Sequence, residues 1–210
     1  MVKKRFPSTR VVINELVDGF VVKPEEEYEP RYLLTRDAQR IVRCMVVGVV
    51  TTVPLVKEEV PMVKFRLDDG TGTISVVVFN EMFNIARGFN RGDTVLVIGR
   101  PRDYNGVIEI EAETVNKVDP LAEIYHKALV VRKLREWREI VKEAINIYKS
   151  YGVSVHAKMT AKSKGIDPQV LSNIDRLYYL MSIDNVYEER MEEEEDDIED
   201  ISLDKLVDAD

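Results

Sequence analysis

The chain has 210 residues, 45% of them hydrophobic, and a formal net charge of −8. That composition is ordinary for a globular protein, and the longest apolar run, Cys44 to Val50, is strand-sized, which excludes a membrane-spanning helix. The charge is unevenly placed: residues 191–210 hold 11 acids and one base, whereas the first 190 hold 29 bases and 27 acids, so a near-neutral body argues against strong unaided binding to a phosphate backbone.

The single cysteine, Cys44, excludes an intrachain disulfide and a Cys-rich zinc site and fits a reducing, cytoplasmic setting. Lys3, Lys4 and Arg5 lead into Phe6 and Pro7 and not into an apolar run, so no signal peptide is expected. Residues 1–40 read as a leader packing on the domain formed by residues 41–118. Within it Thr9 to Ile13 is β-like, residues 24–30 form an acidic loop bounded by prolines, and residues 31–40 are a helical or extended lead-in.

Residues 41–118 read as strands. Ile41 to Val53 is β-branched and interrupted by Gly48, which suggests a bulge or bend in a long first strand. Val63 to Asp68 and Thr73 to Phe79 form a hairpin, and Glu81 to Phe89 has helical spacing. A turn at residues 90–93 leads into Val95 to Gly99, and "RDYNG" at 102–106 turns into Ile108 to Val118. Three strands, a short helix and a two-strand hairpin make the order of an OB-fold, a five-stranded Greek-key barrel.

Asp119 and Pro120 open a long helix over residues 119–151, closed by Gly152. Leu121, Ile124, Ala128, Val131, Leu134, Trp137, Val141, Ala144, Tyr148 and Tyr151 step by threes and fours along it. A small barrel cannot cover so long a seam, so it is expected to serve oligomerisation with helices of the same kind. Residues 152–187 read as a small helical appendage, with helices ending at Gly165 and starting after Asp167 and Pro168. Residues 188–210 read as a disordered acidic tail; its aliphatic residues fit either a segment that folds onto a partner's basic groove or a solubilising tail.

Strand alternation selects the candidate site. Ile74, Val76 and Val78 point one way and Thr73, Ser75, Val77 and Phe79 the other. Phe65 and Leu67 point inward, so Lys64 and Arg66 point outward, on the same wall as Phe79. Arg100 and Arg102 alternate outward from the fourth strand, and Tyr104 with Asn105 sits at the following tip. Aromatic faces stack on bases and cations pair with phosphates without regard to sequence, so Lys64, Arg66, Phe79, Arg100, Arg102, Tyr104 and Asn105 are the candidate nucleic-acid-binding residues. The alternatives are a core role for Phe79, solubilising cations, and a Tyr104 folded back on the barrel. Asp68, Asp69, Gly70 and Gly72 read as turn-shaping residues, since a metal site needs more carboxylates and a phosphate loop needs a lysine. His126 and His156 are isolated, and no triad, carboxylate pair or cofactor loop stands out, so neither an enzyme nor a cofactor or metal is expected.

The ordered set "VVGVV…VKFRLDDGTGTISVVVF…GDTVLVIGRPRDYNGVIEIEAETVNKV" followed by one long helix resembles the middle subunit of archaeal replication protein A. "KKRFPSTRVVINELVDGFVVK" and "YGVSVHAKMTAKSKGID" look like the same branch, and the resemblance covers about residues 1–185. It implies a single-stranded-DNA-binding subunit of a heterotrimer acting in replication, repair and recombination. It also implies that the helix from Leu121 to Tyr151 joins a three-helix bundle with the large and small subunits, and that the C-terminal region recruits replication and repair proteins. The family's two stacking aromatics fall on Phe79 and Tyr104, and Arg66 and Arg102 match basic positions beside them. Val77 stands where eukaryotic relatives carry a basic residue. Two other classes remain: a structural or protein-recruiting OB subunit with little DNA contact, and an RNA-binding OB module.

Overall fold

The computed structural model describes residues 6–24 and 29–183. The acidic tail, the last four residues of the appendage and the middle of the acidic leader loop lie outside the described residues.

The leader opens with β1 (Thr9–Arg10), a short helix α1 (Ile13–Val17), and strands β2 (Phe20–Val22), β3 (Tyr32–Leu34) and β4 (Arg40–Ile41). The barrel strands are β5 (Cys44–Val50), β7 (Met62–Asp68), β8 (Thr73–Phe79), β9 (Thr94–Tyr104) and β10 (Val107–Lys117). A short edge strand β6 (Leu55–Lys57) precedes β7, and a 3-10 turn (Asn80–Met82) with the one-turn helix α2 (Phe83–Ala86) follows β8. The helices α3 (Leu121–Tyr151), α4 (Val155–Ser163) and α5 (residues 169–183) complete the described chain.

The five barrel strands pair in the order β5–β9–β10–β8–β7, and β7 returns to β5 through Val49–Asp68 and Val50–Leu67. The β8–β10 pairing is parallel and the others are antiparallel, which is the OB-fold expected from the strand order. Gly48 lies where β5 passes from β9 to β7. A Cβ there would stand 2.5 Å from the Asp68 carbonyl oxygen, so only glycine lets the two backbones approach. The expected inward set Phe65, Leu67, Ile74, Val76 and Val78 is buried in the barrel core. Cys44 is buried with it, and burial pushes its thiol up to about 12, so it behaves as a small apolar residue.

Three elements differ in extent from the sequence reading. The helix expected over 81–89 is only the 3-10 turn plus α2, because Phe89 leaves the helical path and packs edge-on against Phe65 with centroids 5.7 Å apart. The β9–β10 hairpin is longer than expected. Asn105 and Gly106 take φ of 56° and 78° and form a two-residue turn, so pairing runs to Tyr104–Val107. The first strand, expected to run to Val53, ends at Val50.

The leader packs on the barrel and also joins it to the helices. Adjacent residues of β3 face opposite ways: Leu33 enters the barrel core, while Leu34 enters a second core. That second core is built from Val22, Ala38, Val141, Ala144 and Ile147 together with Ala157, Ala161, Leu171 and Ile174 of α4 and α5. Polar contacts reinforce it. Trp137 Nε1 donates to the Asp37 carbonyl at 2.8 Å, and Asn173 Nδ2 donates to the Ala38 carbonyl at 3.1 Å. Asp69, buried at the β7–β8 turn, accepts from the Ile13 amide at 2.9 Å and from the Thr71 amide and hydroxyl, so the turn's acid also fastens α1. His126 is buried where α3 crosses the leader. Its Nε2 donates to the Val11 carbonyl at 3.0 Å and its Nδ1 faces the Arg10 guanidinium at 3.4 Å. Burial, with Arg10 adding to it, lowers its pKa, so the neutral imidazole makes both contacts.

Glu15 lies beneath α3, with Oε2 accepting from the Val12 amide at 3.0 Å and Oε1 buried without a partner. Burial raises its pKa to about 7. The folded state therefore holds a proton that the unfolded state releases between pH 4.5 and about 7, and stability from this group is lost as pH rises through that window. Glu15→Gln is expected to stabilise the protein at pH 8 by about 2–3 kcal/mol and to have little effect at pH 4.5. Thermal unfolding of both proteins across this range checks it, and a gain independent of pH would contradict it.

Candidate nucleic-acid interface

The outer wall of the barrel is set by register. Across β7, β8, β10 and β9 one row reads Arg66, Ser75, Glu109, Arg102, and the next reads Lys64, Val77, Glu111, Arg100. Met62 faces Phe79 at one end of the wall, and Tyr104 stands at the β9–β10 tip. The five side chains expected to point outward from β7, β8 and β9 therefore share one wall.

Arg102 is its centre. The guanidinium carbon lies 5.9 Å from the Phe79 ring centroid and 6.0 Å from that of Tyr104, and Lys64 Nζ lies 5.5 Å from the Tyr104 ring. The structure thus brings Phe79, Arg102, Tyr104 and Lys64 together. Tyr104 is 56% exposed, and its ring leans on cations and not on the core. Phe79 is half-buried and outside the core cluster. It borders an open concavity of about 540 Å³ shared with Met82 and Glu111, and a second of about 580 Å³ lies at the Arg66 end beside Thr73 and Ser75. Asn105 contributes through its backbone, as the first residue of the turn that presents Tyr104.

The cations are not bare. Glu109, 2% exposed, accepts from Lys64 at 2.8 Å through Oε2 and pairs with Arg102 at 2.7 Å through Oε1. Arg102 also pairs with Glu111 at 2.8 Å. Glu113 bridges Arg100 at 2.8 Å and Arg43 at 2.6 Å. Burial works against ionisation of Glu113, but the two guanidinium bonds outweigh it and hold its carboxyl below the usual range. Arg66 makes a hydrogen bond to Thr73 Oγ1 at 3.0 Å and no ion pair among the described residues. The three glutamates and Arg43 are absent from the sequence-based site. For the glutamates a signal was available: in "VIEIEAETV" they alternate with Ile108, Ile110 and Ala112.

The long seam of α3 is divided, not open along its length. Leu121, Ile124, Ala128 and Val131 are exposed, with Tyr125 beside them. Leu134 and Trp137 are half-buried against the leader. Val141 and Ala144 are buried in the chain's own second core. Tyr148 stacks on Tyr178 and donates to Asp175 at 2.7 Å, and Tyr151, half exposed, meets His156 edge-on. The expectation that all ten seek partner helices is therefore corrected for Val141, Ala144 and Tyr148, because α4 and α5 fold back onto them.

The family described as tRNA_anti-codon, an OB-fold nucleic acid binding domain, matches residues 45–118. One chain of a replication protein A heterotrimer bound to ssDNA superposes with a TM-score of 0.52 at 17% identity, covering 63% of this chain and 98% of that one. A chain of the S. pombe Stn1–Ten1 complex gives a TM-score of 0.54, also at 17% identity, covering 66% of this chain and 98% of that one. No curated protein matches the sequence. At this identity the likeness is one of fold, and it extends beyond the barrel into the elements around it. Strand order, register and the matched stretch agree that β5 to β10 form an OB-fold domain followed by a long helix and smaller helices.

Proposed function

We propose that this chain is a non-catalytic, single-stranded-DNA-binding subunit of a replication protein A-type heterotrimer, the middle subunit of an archaeal complex working in replication, repair and recombination at the cytoplasmic nucleoid. The observation that carries it is the pair of rings, Phe79 and Tyr104, flanking one guanidinium on the outer wall of an OB barrel. Two aromatic faces and a planar cation offer stacking surfaces to successive bases, and stacking tolerates any sequence. Lys64, Arg66 and Arg100 lie on the same wall within reach of the backbone. The matched nucleic-acid-binding family and the shared fold with a chain of an ssDNA-bound heterotrimer support the reading.

Assembly uses the first half of α3, where Leu121, Ile124, Tyr125, Ala128 and Val131 form an exposed apolar stripe that a bundle of partner helices would cover. The C-terminal region, including the acidic tail, recruits replication and repair proteins. The self-paired cations favour a second reading, a structural OB subunit with little DNA contact.

Phe79→Ala with Tyr104→Ala is expected to weaken binding of labelled oligo-dT by about 1–3 kcal/mol per base unstacked, with the melting transition retained. Anisotropy titration checks it, and unchanged affinity would remove both rings from the site. Ile124→Glu with Val131→Glu is expected to prevent assembly with the partner subunits while leaving the monomer's stability nearly unchanged. Val141→Asp instead buries a charge in the second core and costs about 3 kcal/mol or more of stability. Sizing chromatography and thermal melts separate the two effects.

A further inference from the structure

The carboxylates of β10 pair with the cations of the outer wall that would otherwise be available to a bound strand's phosphates. We infer that Glu111 and Glu113 are resident anions, so that single-stranded nucleic acid binds by exchanging their ion pairs, and that these glutamates set its affinity and salt dependence. This rests on the function proposed above.

The geometry separates the three acids. Glu111 and Glu113 have side chains 50% and 29% exposed, and Arg100, held by Glu113, is 61% exposed. Incoming phosphate can reach these pairs. Glu109 is only 3% exposed at its side chain and is shared between Lys64 and Arg102. Removing it would leave two cations facing each other, so it stays in place as the positioning residue that spaces them. Arg66 alone of the expected phosphate contacts has no carboxylate partner among the described residues and is ready without exchange.

Exchange changes the salt dependence. A free cation that meets a phosphate lets the strand shed its condensed counterions, with a slope of roughly 0.7 in log affinity per contact for single strands. A cation that first leaves a carboxylate exposes an anion, which recruits a counterion of its own and repels the strand. The wild-type slope should therefore count fewer phosphates than there are cations on the wall. Binding would be shallow in salt and weak, in keeping with the near-neutral body of the chain.

The test compares oligo-dT binding of the full chain with that of Glu111→Gln/Glu113→Gln across a range of salt concentrations. Glu113→Gln alone, which frees Arg100 from its one carboxylate partner among the described residues, is the milder variant should the double lose its melting transition. Glu136→Gln/Glu139→Gln on α3 removes the same charge away from the wall. The expected result is about tenfold tighter binding at low salt and a slope steeper by roughly 0.7 for each cation released, with less than a twofold change in the α3 control. Unchanged affinity and slope with good wild-type binding overturns this inference and leaves the proposed function standing. Equal tightening in the control makes net charge the cause and overturns it too. Weaker binding in the variant shows that the glutamates preorganise the cations, which also overturns it. Absence of binding in every protein overturns both the inference and the function it rests on.

Discussion

Closing five strands in the order β5–β9–β10–β8–β7 forces β10 into the middle of the wall that carries the cations of β7 and β9. Whatever β10 points outward must sit among them. In this chain those residues are Glu109, Glu111 and Glu113, and the wall becomes an alternating lattice of charge. The lattice holds Arg102 within about 6 Å of both the Phe79 and the Tyr104 ring, so the same pairs that orient the central cation also neutralise it. Exposed ion pairs contribute little stability, but one buried carboxylate shared by two cations fixes their spacing. The chemistry left available is stacking on the rings and exchange at the rim.

A second constraint is the leader. Its small sheet has two apolar faces, one for the barrel and one for the helices, so the barrel and the α3–α5 unit are not separate modules on a linker. His126, Trp137, Asn173 and Asp69 supply directional contacts at this junction. The consequence for assembly is that, among the described residues, the continuous exposed apolar stripe of α3 lies in its first half, at Leu121, Ile124, Ala128 and Val131. A bundle built there would use about three helical turns, with the second half of α3 serving as a rigid mount.

The barrel was legible in the sequence because period-two alternation in β7 and β8 leaves one consistent inward set, and because a Gly-bearing turn separates the two runs. The helix α3 was legible from its boundary residues: Asp119 accepts from the Leu121 amide, and Gly152 takes φ of 61°. The short α2 was overread, since Phe89 keeps helical spacing yet is claimed by Phe65 across the barrel. Periodicity also could not tell that Val141 and Ala144 meet α4 and α5 of the same chain, because an apolar stripe does not specify whose surface covers it. Within the candidate site, Phe79 and Arg102 followed from alternation, and Tyr104 from its place at the tip before Asn105 and Gly106. The glutamates lie in the same alternation, but their influence depends on β10 standing between β8 and β9, a parallel neighbour relation that no local pattern encodes.

On the proposed function, nucleic acid lies on the outer wall of β7, β8 and the β9–β10 hairpin. The most direct test of this placement is titration of unlabelled oligo-dT into isotopically labelled full-length protein, following backbone amide shifts by NMR. Changes are expected to group at residues 62–66, 75–79 and 100–106, with the amides of α4 and α5 unmoved. Changes centred on the helices, or on the opposite side of the barrel at β5, would contradict it.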